Sequence, residues 1–135
     1  MSLVMMSVVL AWLLVGAAQD LRTRQVRNWV TLPALTLALG TRLCLPAAGL
    51  PLLGVTAMLL AGWHFGWLGG ADVKALLTLG LLDLTWIVWA LLGVFVWDAL
   101  TWVWTGLRPK TLPAFAGFAL GFALLTLKEV LAFLM

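Results

Sequence analysis

From Val73 to Leu107 the chain is hydrocarbon apart from Lys74, Asp83, Asp98 and a few threonines. At 1.5 Å per residue, one helix of that length overshoots a bilayer core of about 30 Å. Two helices divided near Asp83 fit better. The first, about Ala71 to Leu82, is shorter than a full span and must pack against neighbours. The second runs from about Leu84 to Gly106 and carries Asp98 inside it.

The same punctuation recurs along the chain. An apolar segment from about Leu3 to Gln19 is closed by Asp20 and followed by Arg22, Arg24 and Arg27. A second runs from Trp29 to about Leu45, crossing Pro33, and a turn of Pro46, Ala47, Ala48, Gly49 and Pro51 ends it. A third spans about Leu52 to Leu68 and stops at Gly69-Gly70. After the polar break Arg108-Pro109-Lys110, Pro113 starts a sixth helix, in which Gly117 and Gly121, at i and i+4, allow close helix contact. No internal repeat or separate domain is evident. The expected fold is all-α: a polytopic membrane protein, one domain over residues 1–135, with about six transmembrane helices.

Composition agrees. Of the residues 64% are hydrophobic and 10% charged, against about 45–50% and about 25% in soluble domains. No soluble fold of this size buries so much apolar surface in one core. Nine Trp fit side chains at the bilayer edge, with several lying deeper. A net charge of +3, scattered, gives no footprint for nucleic acid. The single cysteine, Cys44, excludes an internal disulfide and any Cys-x-x-Cys metal site. No metal and no cofactor is expected. The first twenty residues have no basic leading region and no convincing small-x-small cleavage site, and read as a retained helix.

Charge placement orients the helices. Arg22, Arg24, Arg27, Lys74, Arg108 and Lys110 fall on alternate junctions, and only Arg42 and Lys128 on the others. By the positive-inside rule the six mark the cytoplasmic side, which puts both termini outside. Two crossings separate Asp20 from Asp72, so parity brings both to the cytoplasmic face.

A carboxylate at membrane depth is costly and is a functional candidate by default. Two that share a site cannot both ionise easily, so one keeps its proton. The ionised partner then takes a proton from water and the protonated one hydrogen-bonds a scissile carbonyl. Asp20 and Asp72 are the candidates, and Gly69 and Gly70 would let a substrate backbone approach. Each acid also has a structural reading. Asp20 can be a helix-end residue paired with Arg22 or Arg24, and Asp72 a helix N-cap. For Asp98 an interhelical hydrogen bond is expected, for Asp83 an outer-face turn, for His64 either a place near Asp72 or a neutral, hydrogen-bonded packing role, and for Trp63 and Trp67 packing or interface anchoring. Lys128 and Glu129 are placed at the outer interface.

At these residues the chain resembles the type IV prepilin peptidase family, of the Gly-x-Gly-Asp type, whose relatives include archaeal preflagellin peptidases. That family pairs an aspartate at the end of one helix with a second opening a later helix. Asp20-Leu21-Arg22-Thr23-Arg24-Gln25-Val26-Arg27-Asn28 matches the first motif in spacing, with Arg27 where proline is usual. Gly69-Gly70-Ala71-Asp72-Val73-Lys74 keeps the first glycine, the aspartate and the lysine of the second, with Ala71 for the second glycine. The segment from Pro113 to Gly121 is similar to the family's last helix.

The resemblance implies an aspartic endopeptidase of the cell membrane that cleaves the basic leader of prepilin-like proteins in type IV pilus or secretion systems. Asp20 and Asp72 would be catalytic, and Asn28, Gly69, Gly70 and Lys74 would shape the site. Larger members also methylate the new N-terminus through a domain with paired cysteines. This sequence has neither the extra length nor the cysteines, and peptidase activity alone is expected, as in the short enzymes of tight-adherence pilus systems or the archaeal type. Two alternatives stand beside it: a small transporter or proton- or cation-conducting protein that uses Asp98 and Asp83, and an inactive peptidase-like scaffold.

Overall fold

The computed structural model describes residues 3–43, 49–105 and 114–135. Among them there is no strand, and six helices follow in order: α1 Leu3–Thr23, α2 Asn28–Leu43, α3 Gly49–His64, α4 Gly70–Leu82, α5 Leu84–Thr105 and α6 Ala114–Leu134. Cys44, most of the proline turn before Pro51, the break at Arg108-Pro109-Lys110 and Pro113 lie outside the described residues.

Three helices, α1, α5 and α6, are long and apolar enough to cross a bilayer. The chain is therefore a membrane protein. The described parts of α2 and α3 have 16 residues each and α4 has 13. At 1.5 Å per residue, that is about 24 Å and about 20 Å, short of a core of about 30 Å.

The helices fall into two compact units: Met1–Gln25 with Val88–Met135, and Val26–Ile87. In the first, α1 packs along α6. Its interior is built from Leu13, Phe115, Phe118 and Phe122, all but fully buried. Glycines bring α5 against α6 backbone to backbone. A Cβ added to Gly117 would stand 2.6 Å from Val94 Cα, and one on Gly121 would run into the Trp89 carbonyl. Gly93 completes the seam from α5, where an added Cβ would lie 2.6 Å from Gly121 Cα. Lipid tails are as apolar as leucine, so helices gain by close packing and not by leaving water. The small-residue spacing of Gly117 and Gly121 serves that contact.

In the second unit α4 packs on both α2 and α3. That explains how so short a helix persists. Val73, Ala75, Leu76, Thr78, Leu79 and Gly80 are all buried. Gly80 leaves the space that Ile87 Cδ1 fills, 2.7 Å from an added Cβ. Asp83 breaks the long apolar run as expected. It is extended, at φ −160° and ψ 126°, and its N–H closes α4 on the Leu79 carbonyl. Its carboxylate accepts the Thr85 N–H at 2.9 Å and the Thr85 hydroxyl at 2.8 Å, which caps α5.

Three boundaries differ from the sequence reading: α1 continues past Gln19 to Thr23, α3 begins at Gly49 and not near Leu52, and α3 ends at His64, not at Leu68. Gly66 takes φ +73°, and its N–H bonds the Trp63 carbonyl while the Trp67 N–H reaches the Gly62 carbonyl at 2.8 Å. Those two bonds make a Schellman stop, which needs a residue free to turn left-handed. Leu68 then folds back on Gly62, where an added Cβ would be 2.9 Å from its Cδ1. Gly69 and Gly70 are thus freed to open α4 and do not close α3.

A paired substitution checks the seam. Gly121→Ala should destabilise the protein by about 1–3 kcal/mol in detergent unfolding, as overpacking does. Gly54→Ala on α3, where nothing lies within 4 Å, should be neutral or stabilising by up to about 1 kcal/mol. Equal effects from the two would show that backbone contact at Gly121 contributes nothing.

Candidate functional site

Asp20 lies in the last turn of α1, which continues past it to Thr23. The residue is only 8% exposed, so it is not a solvated helix-end acid. Its Oδ2 accepts the backbone N–H of Phe115 at 3.1 Å. Phe115 is the second residue of α6, and first-turn amides have no acceptor within their own helix. The carboxylate supplies one, at the end of the helix where the dipole favours negative charge.

The chain leaves α1 through a tight exit. Arg24 takes φ +55° and its N–H bonds the Asp20 carbonyl at 2.9 Å. An arginine here occupies a conformation that glycine adopts more cheaply. The Thr23 hydroxyl lies between the carbonyls of Gln19 and Gln25, at 2.9 and 2.8 Å. The exit turn leads directly to Asn28, the first residue of α2, and the Arg27 carbonyl accepts the Val30 N–H.

Asp72 is the third residue of α4, and the N-cap is Gly69, extended at φ −70° and ψ 148° with no side-chain cap. The N-cap reading of Asp72 is corrected accordingly. The carboxylate folds back over Gly69, where an added Cβ would stand 2.9 Å from Oδ2. The glycine is needed here for room and not for an unusual φ. Gly70 faces the indole of Trp63, whose Nε1 would be 3.6 Å from an added Cβ. An anion in the first turn of a helix is favoured by the dipole, so Asp72 sits where a carboxylate is supported.

Lys74 follows two residues later and donates from Nζ to Asn28 Oδ1 at 2.7 Å. This bond ties the start of α2 to the start of α4. The structure therefore brings together Asn28 and Lys74, and sets Gly69, Gly70, Asp72 and Lys74 in one continuous stretch at the start of α4. Asp20 belongs to the first unit and Asp72 to the second.

The other polar residues fall elsewhere. His64 is exposed, with its ring edge-on to Phe65 at 5.6 Å, and Phe65 lies 5.5 Å from Trp67. Its expected packing role is confined to that exposed aromatic turn. Asp98 lies within α5, half-buried, with its backbone carbonyl accepting the Thr101 hydroxyl at 2.9 Å. Lys128 and Glu129 pair at 3.5 Å on an exposed surface, where such a pair is worth little. Among the described residues no group of three or more His, Cys, Asp or Glu side chains gathers as a metal site would need.

Sequence reasoning passed over Phe115. The proline before α6 was a signal that free amides open that helix, but not that Asp20 meets them.

The Asn28–Lys74 link carries its own test. Asn28→Ala and Lys74→Met should each cost on the order of 1 kcal/mol in unfolding experiments. The double variant should cost clearly less than their sum, and strict additivity would mean that the bond contributes nothing.

A model of the type IV leader peptidase family matches residues 7–84, more than half of the chain. The matched segment contains Asp20, Asn28, Gly69, Gly70, Asp72 and Lys74, and ends before Phe115. No curated protein and no solved structure matches the chain.

Proposed function

Because the chain belongs to the type IV leader peptidase family, we propose that it is a membrane aspartic endopeptidase that removes the N-terminal leader of prepilin-like proteins. In this reading Asp20 and Asp72 form a dyad at the cytoplasmic face of the cell membrane. One carboxylate, ionised, takes a proton from water as the oxygen adds to the scissile carbonyl carbon. The other, protonated, hydrogen-bonds the carbonyl oxygen as it gains charge. Collapse of the tetrahedral intermediate breaks the C–N bond, and a proton passes to the leaving amine. Two acids with one proton between them suffice, and the pair titrates as a unit.

The observation that carries this reading is the family match, whose span holds both aspartates. Local geometry supports it. Each carboxylate is set against the amino end of a helix, Asp20 at α6 and Asp72 at α4. Gly69, Gly70, Asn28 and Lys74 shape the surroundings of Asp72: Gly69 gives its carboxylate room, Gly70 lies against the Trp63 indole, and the Lys74–Asn28 bond fixes the turn beside it. Residues 1–135 act as one membrane-embedded peptidase with both termini outside, in which α2, α3 and α4, each shorter than the bilayer core, cross as a packed group. The partners are a prepilin-like substrate and the bilayer.

Asp20→Asn and Asp72→Asn should each reduce leader removal by roughly 10²–10⁴-fold, the range of one acid–base group. Membrane insertion should be unchanged, since an Asn at 20 still offers an acceptor to the Phe115 N–H. Co-expression with a prepilin from the same genome reads this as loss of the size shift on a gel. Full cleavage by either variant removes that aspartate from the mechanism.

Sidedness is checked separately. In a Cys44→Ser background, Gln25→Cys should react with an impermeant maleimide only when the cytoplasmic face is opened. Labelling of intact cells at that position would invert the topology.

A further inference from the structure

We infer that Gly16 and Phe115 form a positioning pair that sets the orientation of the Asp20 carboxylate; this rests on the dyad reading above. Trp12, Gly16 and Asp20 stand at i, i+4 and i+8 and share one face of α1. Read along that face they present a ring, a hole and an acid. Phe115 is fully buried, and its ring occupies the hole: a Cβ on Gly16 would lie 2.6 Å from its Cε1. The ring is held from two more sides, edge-on by Trp12 with centroids 6.4 Å apart and tilted against Phe118 at 5.6 Å.

Each side chain in this group fixes a coordinate of the next. The ring can enter only because position 16 lacks a Cβ. Its entry sets the register of α6 along α1, and that register places the Phe115 N–H 3.1 Å from Asp20 Oδ2. Gly16 has no left-handed φ, so the glycine is there for space alone. Binding one carboxylate oxygen to an amide of the protein holds the side chain in one rotamer and leaves the other oxygen for water. Hydrogen bonding to the charged form also biases the proton inventory of a dyad. Gly16 and Phe115 take no part in the bond changes; they act through Asp20.

Leader cleavage in detergent by purified protein, over a range of pH, tests the pair. Gly16→Ala forces the ring out and should lower kcat by about 10-fold or more with KM little changed, as displacement of a catalytic group does. Its pH profile should move by about half a unit or more. Adding Phe115→Leu, which replaces the ring with a smaller aliphatic side chain and keeps the backbone N–H, should recover most of the lost rate and return the profile. Gly54→Ala serves as the unaffected control.

A folded Gly16→Ala protein with wild-type kcat and profile overturns the pairing, as does a double variant no better than the single one. Should Gly16→Ala fail to fold, Phe115→Leu alone decides: a lowered kcat with a moved profile supports the pairing, and wild-type behaviour overturns it. Asp20→Asn runs alongside. If it cleaves normally, the catalytic reading of Asp20 has failed; if it is dead while the pair variants behave as wild type, only the positioning inference has.

Discussion

A carboxylate taken out of water must find hydrogen-bond donors, and in this chain the donors come from helix ends. Asp20 is buried at the close of α1 and is met by the Phe115 amide at the opening of α6. The exchange satisfies both groups, since an unpaired first-turn amide away from water is itself costly. It also pins two helices that are distant along the chain. Phe115's ring, sunk against Gly16, holds that junction from the apolar side. The polar contact and the packed ring therefore constrain the same few atoms.

Glycine performs three separate tasks here. At Gly66 it supplies a left-handed backbone that ends α3. At Gly69 it leaves room for the Asp72 carboxylate, and its own backbone is ordinary. At Gly93, Gly117 and Gly121 it lets helices touch along their backbones. Only the first of these needs the conformational freedom of glycine. The others need its size, so alanine tests them and a change of backbone preference does not.

Membership of the type IV leader peptidase family is the ground for the common purpose proposed for these features. A peptidase working on water needs acids whose orientation is fixed before substrate arrives. If Asp20 and Asp72 are those acids, as proposed, amide donation to Asp20, the Gly69 recess at Asp72 and the Lys74–Asn28 bond are each a form of such preorganisation, contributed within its own unit.

The primary sequence determined the helices and most of their limits. Hydropathy, proline and isolated charges act locally, so α4 and α5 could be divided at Asp83 and both placed within a residue of where they lie. It also singled out Asp20 and Asp72 through residue type and placement, and Asn28 and Lys74 through resemblance to the family's motifs. The end of α3 at His64 was missed because Gly66 was not recognised as a left-handed stop, and the more conspicuous Gly69-Gly70 was taken instead. Tertiary structure alone decided that Asn28 meets Lys74 across 46 positions, that Asp20 meets Phe115 across 95, and that Gly16 is a socket for a ring. Such partners depend on how helices lie against one another, and that follows from the shape of all the packed side chains together, which no local pattern encodes.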